Sequence, residues 1–409
     1  MASPIATQVA IVGAGPVGLL LANLIGDAGI ETTMLEKRTG PAKGSMAIGI
    51  TPPSLDILGR LRLDESVCRA GVRVRRAIVH EERHPIGTLS FADVPGAYPF
   101  IVSLPQSQTE ALLSERLLHN ASVNIRSGRT VTHLEPDRQG VLLRVRPEEG
   151  DHEEVLRAEW VVACDGAHGV MRELAGIPAR ARRYAPGFTM ADAPDLTGLG
   201  EEAHLFFSAE RPVESFPLPN QRRRWIVRTG WRGNSDIGTE TLPQAVARLT
   251  GHHISADSFS EPSPFQPMRR LAHRYVRGRV ILCGDAAHLL SPIGGQGMNI
   301  GFGDAAVLAR ALIAILLQGA SPEPWLAAYE RARRHAFRLA SARAAMGMSL
   351  GVLHGAVGSQ LRRGLVRQLL SRQRPHDYAA RWFAMRSLPH PLQHGAPRGT
   401  QALIRMETP

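Results

Sequence analysis

Gly13-Ala14-Gly15-Pro16-Val17-Gly18 has the spacing G-x-G-x-x-G. Glycine at the first position permits a tight turn, at the second lets the backbone approach a pyrophosphate, and at the third lets a helix pack close to a sheet. A helix beginning here would turn free N–H groups and partial positive charge toward phosphates. Glu36 stands eighteen residues past Gly18, where a carboxylate accepts both hydroxyls of an adenosine ribose. Together they form a dinucleotide-binding signature that does not by itself separate NAD from FAD.

A second constellation lies far along the chain. Gly284-Asp285-Ala286-Ala287-His288 is followed by Pro292-Ile293-Gly294-Gly295-Gln296-Gly297-Met298-Asn299. An aspartate at a strand end binds a polyol hydroxyl, and a glycine-rich turn at a helix N-terminus offers N–H donors to a developing anion. A reduced flavin is such an anion, so donors and helix dipole there favour its reduction.

The elements that must position these residues follow from apolar patterning. Gln8–Gly13 is a short β-branched run fit for a strand buried on both faces. A helix is expected over Pro16–Ala28 and a second strand over Glu31–Glu36, which makes a βαβ opening. Helices are expected over Ser54–Leu61 and Pro105–His119, a hairpin over Arg75–His80 and Gly87–Phe91, and an apolar strand at Trp160–Cys164. From Arg180 to Pro267, prolines and glycines punctuate strand-like pieces at His204–Ser208, Glu214–Leu218 and Trp225–Thr229, as in an antiparallel sheet. Arg279–Cys283 returns to the buried-strand pattern and leads to a helix over Met298–Leu317. Residues 322–372 read as Arg-rich helix, with a basic face near Gln360–Arg372 solvated over the core, and Pro389–Pro409 reads as a tail.

Composition excludes several classes. Hydrophobic residues make up 44% and charged residues 21%, enough for a core and against global disorder. The 48 basic residues include only Lys37 and Lys43 as lysines, so 46 are arginines scattered through the chain. That scatter gives no clustered basic face, and no nucleic-acid partner is expected. Cys68, Cys164 and Cys283 form no CxxC pair, which argues against a disulfide scaffold or thiolate zinc site and fits the cytoplasm. The apolar runs Val9–Ile25 and Ala305–Leu317 read as strand–turn–helix and as a short buried helix carrying Arg310, so no membrane span is expected. His252-His253 and His288 lack spaced acidic partners, and no metal site is expected. Oligomeric state is set by no motif.

Three motifs carry a resemblance: GAGPVG at 13–18, CDGAHGVMRELAGI at 164–177 and GDAAHLLSPIGGQGMN at 284–299, with PQSQTEALL at 105–113 between them. In order and spacing the chain resembles the FAD-dependent aromatic hydroxylases, the para-hydroxybenzoate hydroxylase-like flavoprotein monooxygenases, over most of residues 8–320. The resemblance implies an α/β fold: a Rossmann-like FAD-binding domain (residues 1–73, 101–180 and 268–320), an inserted antiparallel β-sheet substrate domain (74–100 and 181–267) and a helical C-terminal region (321–409). It implies that Gly13, Gly15, Pro16, Val17 and Gly18 cradle FAD, that Glu36 with Lys37 beside it holds the adenosine ribose, and that Val131 lies near the adenine. Gln106, Asp165 and Gly166 would lie near the FAD and its pyrophosphate. Gly284 and Asp285 would meet the ribityl chain, Pro292 the reactive flavin carbon, and Gly295, Gly297, Met298 and Asn299 the pyrimidine end.

By the same resemblance the chain uses NADPH or NADH and O2 to insert one oxygen atom into an aromatic or polyketide-like small molecule through a flavin C4a-hydroperoxide. The catalysis is flavin-centred, and no side-chain base is identified. Phe206, Phe216 and Trp225 are candidates for the substrate wall. Two departures touch the cofactor. Met46 stands where the family often has Arg, and Gly169 stands where it has Ser, while Arg172 remains. Larger members carry a C-terminal thioredoxin-like domain, for which this length leaves no room. The alternatives are a flavin-dependent halogenase or oxidase, although Trp225 and Trp231 do not form WxWxIP, and a non-catalytic dinucleotide binder.

Overall fold

The structure, a computed structural model, describes residues 5–40, 47–149, 152–184, 187–229, 240–290, 295–351, 355–393 and 397. The first apolar run forms the strand Ile5–Val12, whose Val9, Ala10 and Ile11 are sealed from solvent. It lies between parallel neighbours, Thr32–Leu35 on one side and Glu154–Ala163 on the other. Val123–Arg126 and Val280–Leu282 extend this parallel core outward. Burial on both faces is why these strands are continuous β-branched and aliphatic runs. Antiparallel strands Val141–Pro147 and Arg129–Pro136 are added through the first half of Glu154–Ala163.

Helix Pro16–Gly26 follows the first strand directly and buries Leu19, Leu20 and Leu21. Helix Gly297–Leu317 packs against it. Its 21 residues match the helix expected over Met298–Leu317; it is apolar and long enough to cross a membrane, but most of it is buried inside the protein. Its composition is that of a core helix wrapped on nearly all sides.

The second sheet has, among the described residues, seven strands in the order Ser263–Phe265, Phe188–Pro194, Arg222–Arg228, Val213–Leu218, Ala203–Phe207, Arg76–Glu81 and His84–Ser90. Neighbours are antiparallel except Ala203–Phe207 with Arg76–Glu81, which run parallel because the hairpin is contributed by an earlier stretch of chain. Helix Leu242–Thr250, closed by a Thr241–Gln244 capping box, covers one face. Two small sheets join the layers: Gly49–Ile50 with Ile101–Ser103 and Val72–Val74, and Ala179–Arg183 with Met268–Ala272 and His288–Leu289.

The C-terminal part differs from expectation in two ways. In helix Gly355–Ser371, Arg362 points inward and pairs with Glu81, whereas Leu361, Leu365 and Leu369 are exposed. Before the region read as a tail, a further helix, Gln373–Phe383, packs on the hairpin and Arg386 engages Asp56; the described start of that region is anchored, with His390 engaging Asp56 and Arg310 donating to the Leu392 carbonyl.

Candidate active site

At the first turn Gly13 takes φ +107°, and its N–H donates to the Leu35 carbonyl at 2.7 Å. A Cβ there would stand 2.4 Å from the Cys164 carbonyl oxygen, and one on Gly18 would stand 2.1 Å from the Gly13 carbonyl oxygen. Both positions therefore require glycine, one for conformation and contact and the other for contact alone. Above Gly15 there is open space, with no atom within 4 Å of a built Cβ. The helix beyond has Pro16 in its first turn and no acidic residue there. Its free N-terminal N–H groups thus border an open, positively polarised volume suited to a pyrophosphate.

Glu36 is buried at the end of the second strand. Its Oε2 accepts from the Ala14 N–H at 2.7 Å, and its Oε1 accepts from Arg38 Nε at 2.8 Å and the Arg38 N–H at 3.0 Å. Burial raises its pKa, but the Arg38 and Ala14 donors outweigh that and hold the carboxyl below its ordinary value. Oε2, with a single donor, keeps lone-pair capacity for a ribose hydroxyl. Lys37 points into solvent, whereas Arg38 continues the site toward Glu110, and Glu110 accepts from Gln106 Nε2 at 2.9 Å. Strand Arg129–Pro136 starts beside Glu36, where the Arg129 N–H donates to the Glu36 carbonyl at 2.8 Å. Val131 itself is buried, so only its backbone could line an adenine.

The distant glycine motif folds onto the first. Val17 sits between Gly284 and Gly301: built Cβ atoms on these glycines would lie 3.1 Å and 2.6 Å from its methyl groups. Gly284 adopts φ +62° and donates to Asp304 Oδ2 at 3.1 Å. Among the described residues nothing donates to the Asp285 carboxylate. Loss of hydration raises its pKa against the pull of His288 and Arg270, which leaves an acceptor available to a polyol hydroxyl.

Asp165 accepts the Met171 N–H at 2.9 Å through Oδ2, while its Oδ1 is sealed from solvent and unpartnered. Burial pushes its pKa up. The next residue, Gly166, has φ +79° and open space around it. The Gly169 departure has a local cause. A Cβ there would fall 1.9 Å from the Asp165 carboxyl carbon, so with Asp165 in this rotamer only glycine fits. Pro292 and Met46 lie outside the described residues.

At the second cradle the N-terminus of Gly297–Leu317 again lacks acidic residues, and among the described residues no atom lies within 4 Å of a Cβ built on Gly295 or Gly297. The Asn299 side chain is fully used within the protein. Its Oδ1 accepts from the Thr51 N–H, Thr51 Oγ1 and Ser54 Oγ at 2.8–3.1 Å, and its Nδ2 donates to the Gly49 and Gly295 carbonyls at 2.9 Å each. Asn299 therefore ties the Gly49–Thr51 segment to the helix start, and any contact from it or from Met298 to a flavin would come from backbone. Behind the cradle, Asp304 bridges His288 Nε2 and Arg333 Nε, each at 2.6 Å. Burial would raise the Asp304 pKa, but these two partners hold it down. Thr51, Ser54, Asp304 and Arg333 carried no signal in sequence, because their partners lie tens to hundreds of residues away.

The three aromatic candidates are split by strand alternation. Phe206 and Trp225 face helix Leu242–Thr250 in a core shared with Val213 and Val227, and Trp225 is fully buried. Phe216 points to the opposite face and packs with Val74, Ile101 and Ala203. Ile101 belongs to the strand paired with Gly49–Ile50, so the Phe216 face looks toward the Asn299 corner.

The family described as FAD binding domain matches residues 6–344. A 12-dehydrotetracycline 5-monooxygenase/anhydrotetracycline 6-monooxygenase of Streptomyces rimosus subsp. rimosus is 31% identical over 80% of this chain, which spans 66% of that relative's length. A dialkyldecalin synthase of Streptomyces rugosporus is 30% identical over 80% of this chain and 69% of its own. The crystal structure of a p-nitrophenol 4-monooxygenase from Pseudomonas putida superposes with a TM-score of 0.87 at 24% identity, covering 93% of this chain and 98% of the other.

Proposed function

The chain belongs to the FAD-binding domain family, and from that premise we propose that it is an FAD-dependent monooxygenase that uses NADPH or NADH and O2 to insert one oxygen atom into an aromatic or polyketide-like small molecule. The observation that carries this reading is the meeting of two glycine cradles around Val17, which supports one long dinucleotide bound across both. When bound, FAD supplies hydride acceptance from the nicotinamide and activation of O2. The protein's part is to bind, orient and exclude water.

In this reading the N–H groups after Gly15 hold the pyrophosphate, Glu36 accepts the ribose hydroxyls, and Asp285 accepts the ribityl chain. The helix start at Gly297 places N–H donors and its dipole against the pyrimidine end, which stabilises negative charge there. Asn299 keeps the Gly49–Thr51 wall fixed against that end. Residues 1–73, 101–180 and 268–320 carry the cofactor, residues 74–100 and 181–267 cover the substrate, and helices Pro322–Gly351, Gly355–Ser371 and Gln373–Phe383 brace the two. Three free, buried cysteines support a reducing cytoplasmic setting.

Oxygen-dependent NADPH consumption across a panel of phenols and polycyclic polyketides tests this, with the product weighed after turnover under isotopically labelled dioxygen. One labelled oxygen atom in the product is the expected result. FAD uptake with no labelled product from any compound would favour a second reading, suggested by the dialkyldecalin synthase relative, in which the pocket serves a conversion other than oxygen insertion.

A further inference from the structure

Glu214 lies mid-sheet on Val213–Leu218, two residues from Phe216 and on the same face. The pairing register places it in a row with Ile226 and Met190 on one side and Leu205 and Val79 on the other. All four companions are apolar. Other acids in this sheet region have found arginines: Asp192 with Arg224, Asp195 with Arg223, and Glu81 with Arg362. Among the described residues Glu214 has no hydrogen bond or ion pair, although the chain has 46 arginines to offer.

On the adjoining row Arg224 pairs with Asp192. Arg228 donates to the Glu210 carbonyl, and His376 accepts the Ser90 N–H. Burial alone pushes the Glu214 carboxyl up to about 7. The side chain is half-buried within this apolar row. Through Phe216 and Ile101 its face looks toward the Gly49–Asn299 corner.

An acid kept for solubility sits in water, and an acid kept for structure takes a partner. The half-buried Glu214 carboxylate has no partner among the described residues, and the apolar row around it fits an aromatic ring bearing one hydroxyl. We propose that Glu214 is the substrate-facing acceptor of a phenolic or enolic hydroxyl, which makes hydroxylated aromatic compounds the substrate class. This rests on the monooxygenase reading. In the step, the substrate O–H bond breaks, its proton passes to a Glu214 carboxylate oxygen, and the electron pair stays on the substrate oxygen, enriching the ring for attack. The carboxyl returns the proton to the product oxygen before release.

The test uses the full chain, with and without FAD, and measures calorimetric binding of 4-nitrophenol and 1-naphthol against their methyl ethers. At least one phenol should bind about tenfold tighter than its ether in the wild type, and E214Q should erase most of that preference while leaving FAD affinity unchanged. Affinity for 1-naphthol, which keeps its proton through this range, should rise with pH through about 7 in the wild type and stay flat in E214Q. A carboxyl stretch titrating near neutrality in infrared difference spectra, absent from E214Q, gives a readout independent of ligand. The proposal is overturned if no phenol is preferred to its ether, or if E214Q keeps the preference. Failure to take up FAD would instead strike the monooxygenase reading, and the infrared titration would still decide the state of Glu214.

Discussion

Val17 is the contact on which the two cradles meet, and its environment makes a sharp test. Gly301→Ala places a Cβ 2.6 Å from a Val17 methyl. Overpacking of this kind costs about 1–3 kcal/mol, which urea unfolding would register. Adding Val17→Ala should recover a large part of the loss, because the clash is between these two side chains. Simple additivity of the two substitutions would argue against the contact. Asp285→Asn is the contrasting case. Its carboxylate supports nothing in the protein itself, so stability should hold, while FAD affinity by fluorescence titration should fall about tenfold for the loss of a charge-assisted hydrogen bond.

At the scale of elements, two buried polar groups hold secondary structure together. Asp304 joins the Gly284 turn, His288 on its short strand and Arg333 on helix Pro322–Gly351. Asp304→Ala strands a buried guanidinium, and breaking such a pair costs about 3–5 kcal/mol. Chemical denaturation should show that loss together with weaker FAD binding, since the Gly284 turn relaxes. The second group lies between the large sheet and helix Leu242–Thr250. There His80 Nε2 and His204 Nδ1 are 3.0 Å apart in a stack with Phe206. Burial pushes the His204 pKa down to about 4 and lowers those of His80 and His252 as well. The unfolded chain therefore binds more protons than the folded one between pH 6.5 and 4. Stability is full above the unfolded value and is lost as pH falls through that window. The denaturation midpoint should drop on acidification, and His204→Gln should flatten the profile.

In the whole molecule, on the proposed reading, three separate stretches of chain converge on the FAD site, so bound FAD should stabilise the entire fold. At a hundredfold excess over Kd, mass action contributes about 2.7 kcal/mol, and a thermal melt should rise by several degrees on FAD addition. A melt indifferent to FAD would contradict the convergence.

Much of this convergence was legible in the residues themselves. The glycines at 13, 18 and 284, the missing acids at two helix starts, and the carboxylates at 36 and 285 are demands of local backbone and local charge, which neighbours in sequence already express. The parallel core was legible for a similar reason, because strands buried on both faces leave continuous apolar runs. Tertiary structure alone decided the rest. In Val213–Leu218 and Arg222–Arg228 both faces mix apolar with polar or charged residues, so no alternation shows which side meets the helix. Only pairing with distant strands sends Trp225 one way and Glu214 the other. The partners of Asn299 and Arg362 lie about 250 and 281 residues away, and a hydrogen bond over that separation leaves no trace in spacing, since it depends on where the folded chain returns.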